Sequence, residues 1–197
     1  MNTLVLESTE HGDIPVDVYQ KLSNDRILFV CNIIDDQLAT DIAATLLLKD
    51  SEDSGNKITL FINSNGGPIR NVLMIYDMMQ MIQSPVETIC IGAAMDEAAV
   101  LLAAGHPGMR AATKNARISV SQLEHDWHSY SDLTDAKKTL DLATSDNKRM
   151  MEIFAKASNK TLKQVMDDFS RRVFMTSNEA MKYGLIDEVA KFNKGVK

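Results

Sequence analysis

The sequence predicts an α/β fold built on a mainly parallel sheet. Short apolar runs at 27–30, 58–62 and 86–91 alternate with stretches of helical periodicity. Two of those runs end in glycine, at Asn63-Ser64-Asn65-Gly66-Gly67-Pro68 and at Gly92. In folds of this kind the chemistry sits beyond the carboxyl ends of the strands. The chain has 197 residues, 45% of them hydrophobic and 24% charged, which suits one domain with a real core.

The elements follow in order. Residues 1–17 are polar and weakly patterned, and a flexible N-terminal segment is expected there, with a single domain over 18–197. The run at 27–30 reads as a buried strand. Asp35 or Asp36 can cap the helix that follows, whose Leu38, Ile42 and Leu46 recur at four-residue spacing. A turn cluster at 51–56 leads into the strand at 58–62. A helix is predicted from about 69 to 82, stopped by Ser84-Pro85. Its methionines (Met74, Met78, Met79, Met81) suit a core or a subunit contact, because Met fills irregular gaps. Strand and helix then repeat at 86–91 and from about 95. Short strands near 110–112 and 117–120 precede a long helix at about 132–156. Thr161-x-x-Gln164 and Thr176-x-x-Glu179 read as capping boxes that open two last helices.

Composition excludes several functions. The net charge is −6 with no basic run, so nucleic acid is not an expected partner. The N-terminus lacks a basic region followed by an apolar core, and no apolar run nears the ~20 residues that span a bilayer. A cytoplasmic protein without membrane contact is expected. There is no CxxC and no Cys/His cluster, so neither a metal nor a cofactor is expected. Cys31 and Cys90 lie in apolar runs and read as buried, reduced thiols.

The stretch GAAMDEAAV, 92–100, reads as strand, small-residue turn and buried helix. Such an elbow can present one side chain where backbone N–H groups point outward. Here it presents Asp96 and Glu97. The two glycine turns together could grip an acyl oxygen with N–H donors, or could simply be tight turns. Asp96 and Glu97 are adjacent and do not share a helix face, which argues against paired carboxylates of the glycosidase kind.

At FINSNGG, ICIGAAMDEAAVLLAAG, NARISVSQ and VFMTSNEAMKYGLIDEV the sequence resembles the proteolytic subunits of the Clp protease family, from roughly 18 to 189. The resemblance implies a ClpP/crotonase-like fold with repeated β-β-α units and a long handle helix for ring stacking. It also implies rings of seven stacked face to face and a partner AAA+ unfoldase. Active members carry a Ser-His-Asp triad. By resemblance the nucleophile position is Asp96, the histidine position is Ser121 and the aspartate position is Arg172. The backbone donors of the oxyanion hole map to Gly67 and Glu97. Asn65 replaces a proline common in that turn, and Pro68 removes an N–H just after it.

Asp96 cannot attack an amide well, Ser121 is no base near neutral pH, and Arg172 cannot be deprotonated. The chain therefore resembles the triad-degenerate ClpR-type paralogues, which share rings with active subunits. Arg172 carries the charge opposite to Asp96, and a pair between them, bridged by Ser121, would close the vacated site. Two alternatives stay open. One is an active serine-type peptidase using Ser119 or Ser121 with His125 or His128, in a stretch that otherwise reads as a remodelled handle loop. The other is a crotonase-like binder of an acyl ligand. His11 and His106 show no ligand spacing.

Overall fold

The structure is a computed structural model that describes residues 4–9, 12–123 and 132–191. It opens with an antiparallel hairpin, β1 (Leu4–Thr9) and β2 (Gly12–Asp17), in which Leu4 faces Asp17. Regular pairing thus occupies much of this polar, weakly patterned segment. The sequence hides it because Leu4, Leu6 and Ile14 remain exposed and only Val16 is buried, so no strong apolar periodicity marks the hairpin. Asp17 then caps α1 (Val18–Asn24), a helix the sequence reading lacked.

From β3 (Ile27–Asn32) the chain alternates strand and helix: α2 (Asp36–Glu52), β4 (Ile58–Ser64), α3 (Ile69–Met81), β5 (Val86–Met95) and α4 (Glu97–Ala103). Next come β6 (Arg110–Thr113), β7 (Arg117–Val120) and the long α5 (Leu133–Ser158). The chain finishes with α6 (Leu162–Asp168), β8 (Val173–Thr176), α7 (Ser177–Tyr183) and β9 (Glu188–Ala190). The β-β-α grouping appears at β1-β2-α1 and at β6-β7-α5, with one-for-one alternation between them. This mixed α/β architecture around a parallel sheet is the predicted one.

Among the described residues the main sheet runs β3-β4-β5-β6-β9, and β7 joins β5 to β8. All pairs are parallel except β7 with β8. The ten-residue β5 is the hub. Its first half pairs with β6 at Thr88–Cys90, and its second half turns to β7, with Met95 opposite Ser119. The central strands bury Leu60, Ile62, Cys90 and Ala94 against α2, α3 and α4, and α4 itself is buried from Ala98 to Ala103.

Local chemistry explains the boundaries. Asp35, not Asp36, caps α2, accepting from the Leu38 N–H at 2.8 Å. Asp36 is instead held by Arg70 and Asn71. Both capping boxes form, at Thr161/Gln164 and Thr176/Glu179. On α3, Met79 is buried while Met81 is 76% exposed, so the methionines split between core and surface. Cys90 is buried but Cys31 is only half-buried, because alternate residues of β3 face away from α2. Burial pushes both thiols up, Cys90 to about 11, so neither is a ready nucleophile. Among the described residues no helix is long and apolar enough to cross a membrane, and no cluster could hold a metal ion.

Candidate functional site

The site forms where β5 ends. Its register against β4 shifts between Ile62 and Ser64, so that Ile62 faces Cys90 while Ser64 faces Ala94. The Asn63 Oδ1 fills the irregularity by accepting from the Ala93 N–H at 3.1 Å. Gly92 leaves room for that amide, since a Cβ there would displace the same Asn63 oxygen from its bond to Ala93.

The chain then turns sharply at Asp96, with φ 50° and ψ −108°. A non-glycine residue held there costs about 1–3 kcal/mol and persists only when its surroundings fix it. The fixing contacts are present. The Asp96 N–H donates to the Ser119 carbonyl at 2.8 Å and lies 3.3 Å from the Ser119 Oγ. The Ser119 hydroxyl donates to Asp96 Oδ1 at 3.1 Å. Asp96 Oδ2 pairs with Arg172 Nη2 at 3.1 Å, the aspartate side chain being 15% exposed and the arginine 41%. The ion pair between Asp96 and Arg172 is therefore formed, but the serine beside it is Ser119 rather than Ser121. The reason is register: β5 sets Met95 opposite Ser119, whereas Ser121 lies beyond the end of β7. Ser121 is buried as well.

The Gly66-Gly67 turn faces the elbow. Gly66 has φ 96°, and a Cβ on it would collide with the Glu97 carboxylate and lie 3.2 Å from the Met95 carbonyl. Glu97 thus reaches over the turn while Asp96 points to Ser119 and Arg172, so the two carboxylates diverge. Gly67 is in close backbone contact with Ile34: a methyl group would sit 2.5 Å from its oxygen and 2.9 Å from its nitrogen. The Ile34 N–H donates to Gly66 O at 3.0 Å, and the buried Asn71 amide donates to Ile34 O at 3.1 Å. Gly67→Ala is expected to cost about 1–3 kcal/mol by forcing these backbones apart, read as a lower denaturant midpoint at unchanged slope.

The structure brings Asp96, Arg172, Glu97 and the Gly66-Gly67 turn to one place. His125 and His128 lie outside the described residues, as does His11. His106 is exposed on the turn before β6. Sequence reasoning named Ser121 as the bridging serine and did not consider Ser119 for that place. The alternation of β7, which points Ser119 towards the elbow, becomes informative only once the pairing with β5 is known.

A family model described as Clp protease matches residues 10–193. The chain is 39% identical over 187 residues to the ATP-dependent Clp protease proteolytic subunit of Deinococcus radiodurans, covering 94% of this chain and 90% of that protein. It is also 39% identical over 187 residues to ATP-dependent Clp protease proteolytic subunit 1 of Tropheryma whipplei strain Twist, covering 93% and 88%.

Proposed function

The chain belongs to the Clp protease family, and from that premise we propose that it is a ring-forming subunit of a Clp-type protease that does not itself cleave peptides. The observation that carries this reading is the residue at the elbow. A turn built to present a nucleophile presents Asp96, whose carboxylate is already held by Arg172 and Ser119. A carboxylate so engaged is a poor nucleophile toward an amide, and its charge opposes an oxyanion forming beside it. Ser121, at the histidine position by resemblance, offers no base, so the Ser-His-Asp mechanism has none of its three parts. The backbone donors of Gly67 and Glu97 remain as the oxyanion-hole equivalents, with the Glu97 side chain over the turn.

The role would be structural or regulatory, as in a ClpR-type pseudoprotease: completing or diversifying a heptameric ring or a stacked tetradecamer, in a crotonase-like fold. The partners are active ClpP-type subunits and an AAA+ unfoldase, in the cytoplasm or, in a plastid-bearing lineage, the stroma. The relatives named as proteolytic subunits of an ATP-dependent protease support the assembly partner in general terms.

Two measurements test this. The folded chain is expected to take no label from a serine-directed fluorophosphonate probe. Native mass spectrometry of the complex captured through a tag on this subunit is expected to find a mixed ring with a triad-bearing paralogue. Labelling that is lost on Ser121→Ala, or a homomeric ring with peptidase activity, would overturn the reading in favour of an unconventional serine peptidase.

A further inference from the structure

We propose that Asp96, Ser119 and Arg172 form a clasp that sets the end of β7 and the chain leaving it against the middle of α5, making positioning residues of the side chains at the vacated site. The proposal rests on the non-catalytic reading only in leaving Asp96 no competing use. Three chain segments converge on one carboxylate. Asp96 closes β5 and opens α4, Ser119 belongs to β7, and Arg172 directly precedes β8. The sheet reinforces the convergence, because Ser119 is flanked by Met95 of β5 on one side and by Phe174 of β8 on the other.

What the clasp holds is the exit toward α5. After Val120 the chain leaves the sheet through Ser121, Gln122 and Leu123. The Leu123 N–H donates to Asn147 Oδ1 on α5 at 3.1 Å. The C-terminal end of the short β7 is therefore held twice, by the Asp96 carboxylate at Ser119 and by Asn147 at Leu123, three residues beyond Val120. Arg172 reaches the Asp96 carboxylate from outside the β5–β7 pair, and its planar guanidinium suits a geometric role. Half-exposed as it is, it contributes orientation more than net stability.

The test uses the full chain and hydrogen exchange read by mass spectrometry. Asp96→Asn and Arg172→Met each remove the ion pair while keeping side-chain bulk. Each is expected to raise exchange about 10-fold over 117–123, 143–147 and 172–176. The double variant is expected to rise no further than the larger single change, because the residues act as one unit. Ser119→Ala, which leaves the ion pair in place, is expected to give a smaller rise that is also non-additive with Asp96→Asn. Residues 39–46 of α2 serve as the control and are expected to stay unchanged. Single effects that multiply in the double variant would overturn the clasp, as would unchanged exchange or an equal rise in α2. Fluorophosphonate labelling decides the other question separately. A labelled native chain with coupled exchange sinks the non-catalytic reading alone, and an unlabelled chain with uncoupled exchange sinks the clasp alone.

Discussion

The triple variant Asp96→Ser, Ser121→His, Arg172→Asp is expected to hydrolyse a short fluorogenic peptide on the order of 10³-fold faster than the native chain, and to take fluorophosphonate at position 96. The argument rests on what the fold retains. The elbow keeps the φ 50° turn that lifts a side chain clear of the sheet. Position 172 already places a side chain within 3.1 Å of the one at 96. Position 121 lies two residues beyond Ser119, which touches Asp96, and just past the end of β7, where the resemblance puts the histidine. Asp96→Ser alone is expected to stay silent, since a hydroxyl without a base gains nothing. So is any pair of the three changes, because triad members act as a unit. A folded, silent triple variant would instead put the loss outside the triad positions, and Glu97→Met would be the next change, since that carboxylate overhangs the Gly66-Gly67 turn.

Much of this site could be read before any coordinates. The order of strand, elbow and helix was legible from glycine and alanine between an apolar strand and an apolar helix, but β5 runs on through Gly92 to Met95 and the turn itself is confined to Asp96. The ion pair was anticipated because the resemblance puts 96 and 172 at two positions of one triad, and the residues there carry opposite charges. What could not be read was register. Ser119 and Ser121 differ only in which one β5 sets opposite Met95, and no local pattern fixes that. The short edge elements were also hidden. At β8, Phe174 is 66% exposed, and β9 has only three residues, so neither shows the apolar signature of a strand. In β1 and β2, too, pairing makes the strands rather than burial. The capping boxes, by contrast, are purely local hydrogen-bond patterns, and both were found where the sequence put them.

Arg110→Met is expected to be among the most destabilising single changes in the chain, by about 3 kcal/mol, the low end for a buried ion pair because Asp187 keeps some contact with water. The pair was invisible in sequence, its members lying 77 residues apart. Arg110 Nε donates to Asp187 Oδ2 at 2.9 Å and Nη2 donates to Oδ1 at 2.6 Å, a bidentate fork. The remaining nitrogen, Nη1, donates to the carbonyls of Ala157 and Gly184, both at 3.1 Å. One guanidinium thus joins β6 and the turn before β9 to the ends of α5 and α7. Removing it leaves the carboxylate with only the Gly108 and Arg110 backbone N–H donors and takes a donor from the carbonyls as well, and Arg110→Lys cannot rebuild the fork.

The same pair predicts a pH dependence. Burial alone would raise the Asp187 carboxyl, but hydrogen bonds and charge from Arg110, with help from the Gly108 N–H, outweigh it and hold the group below its ordinary range. A carboxyl lowered on folding contributes its full stability above the unfolded value of about 3.9, and loses it as pH falls through the lower folded value. Asp187→Asn is therefore expected to lower the melting temperature at neutral pH and to flatten the acid limb of the native stability curve below about pH 4. Calorimetry from pH 7 to pH 3 checks both, and parallel acid limbs for the two proteins would show that this carboxylate is not what acid titrates.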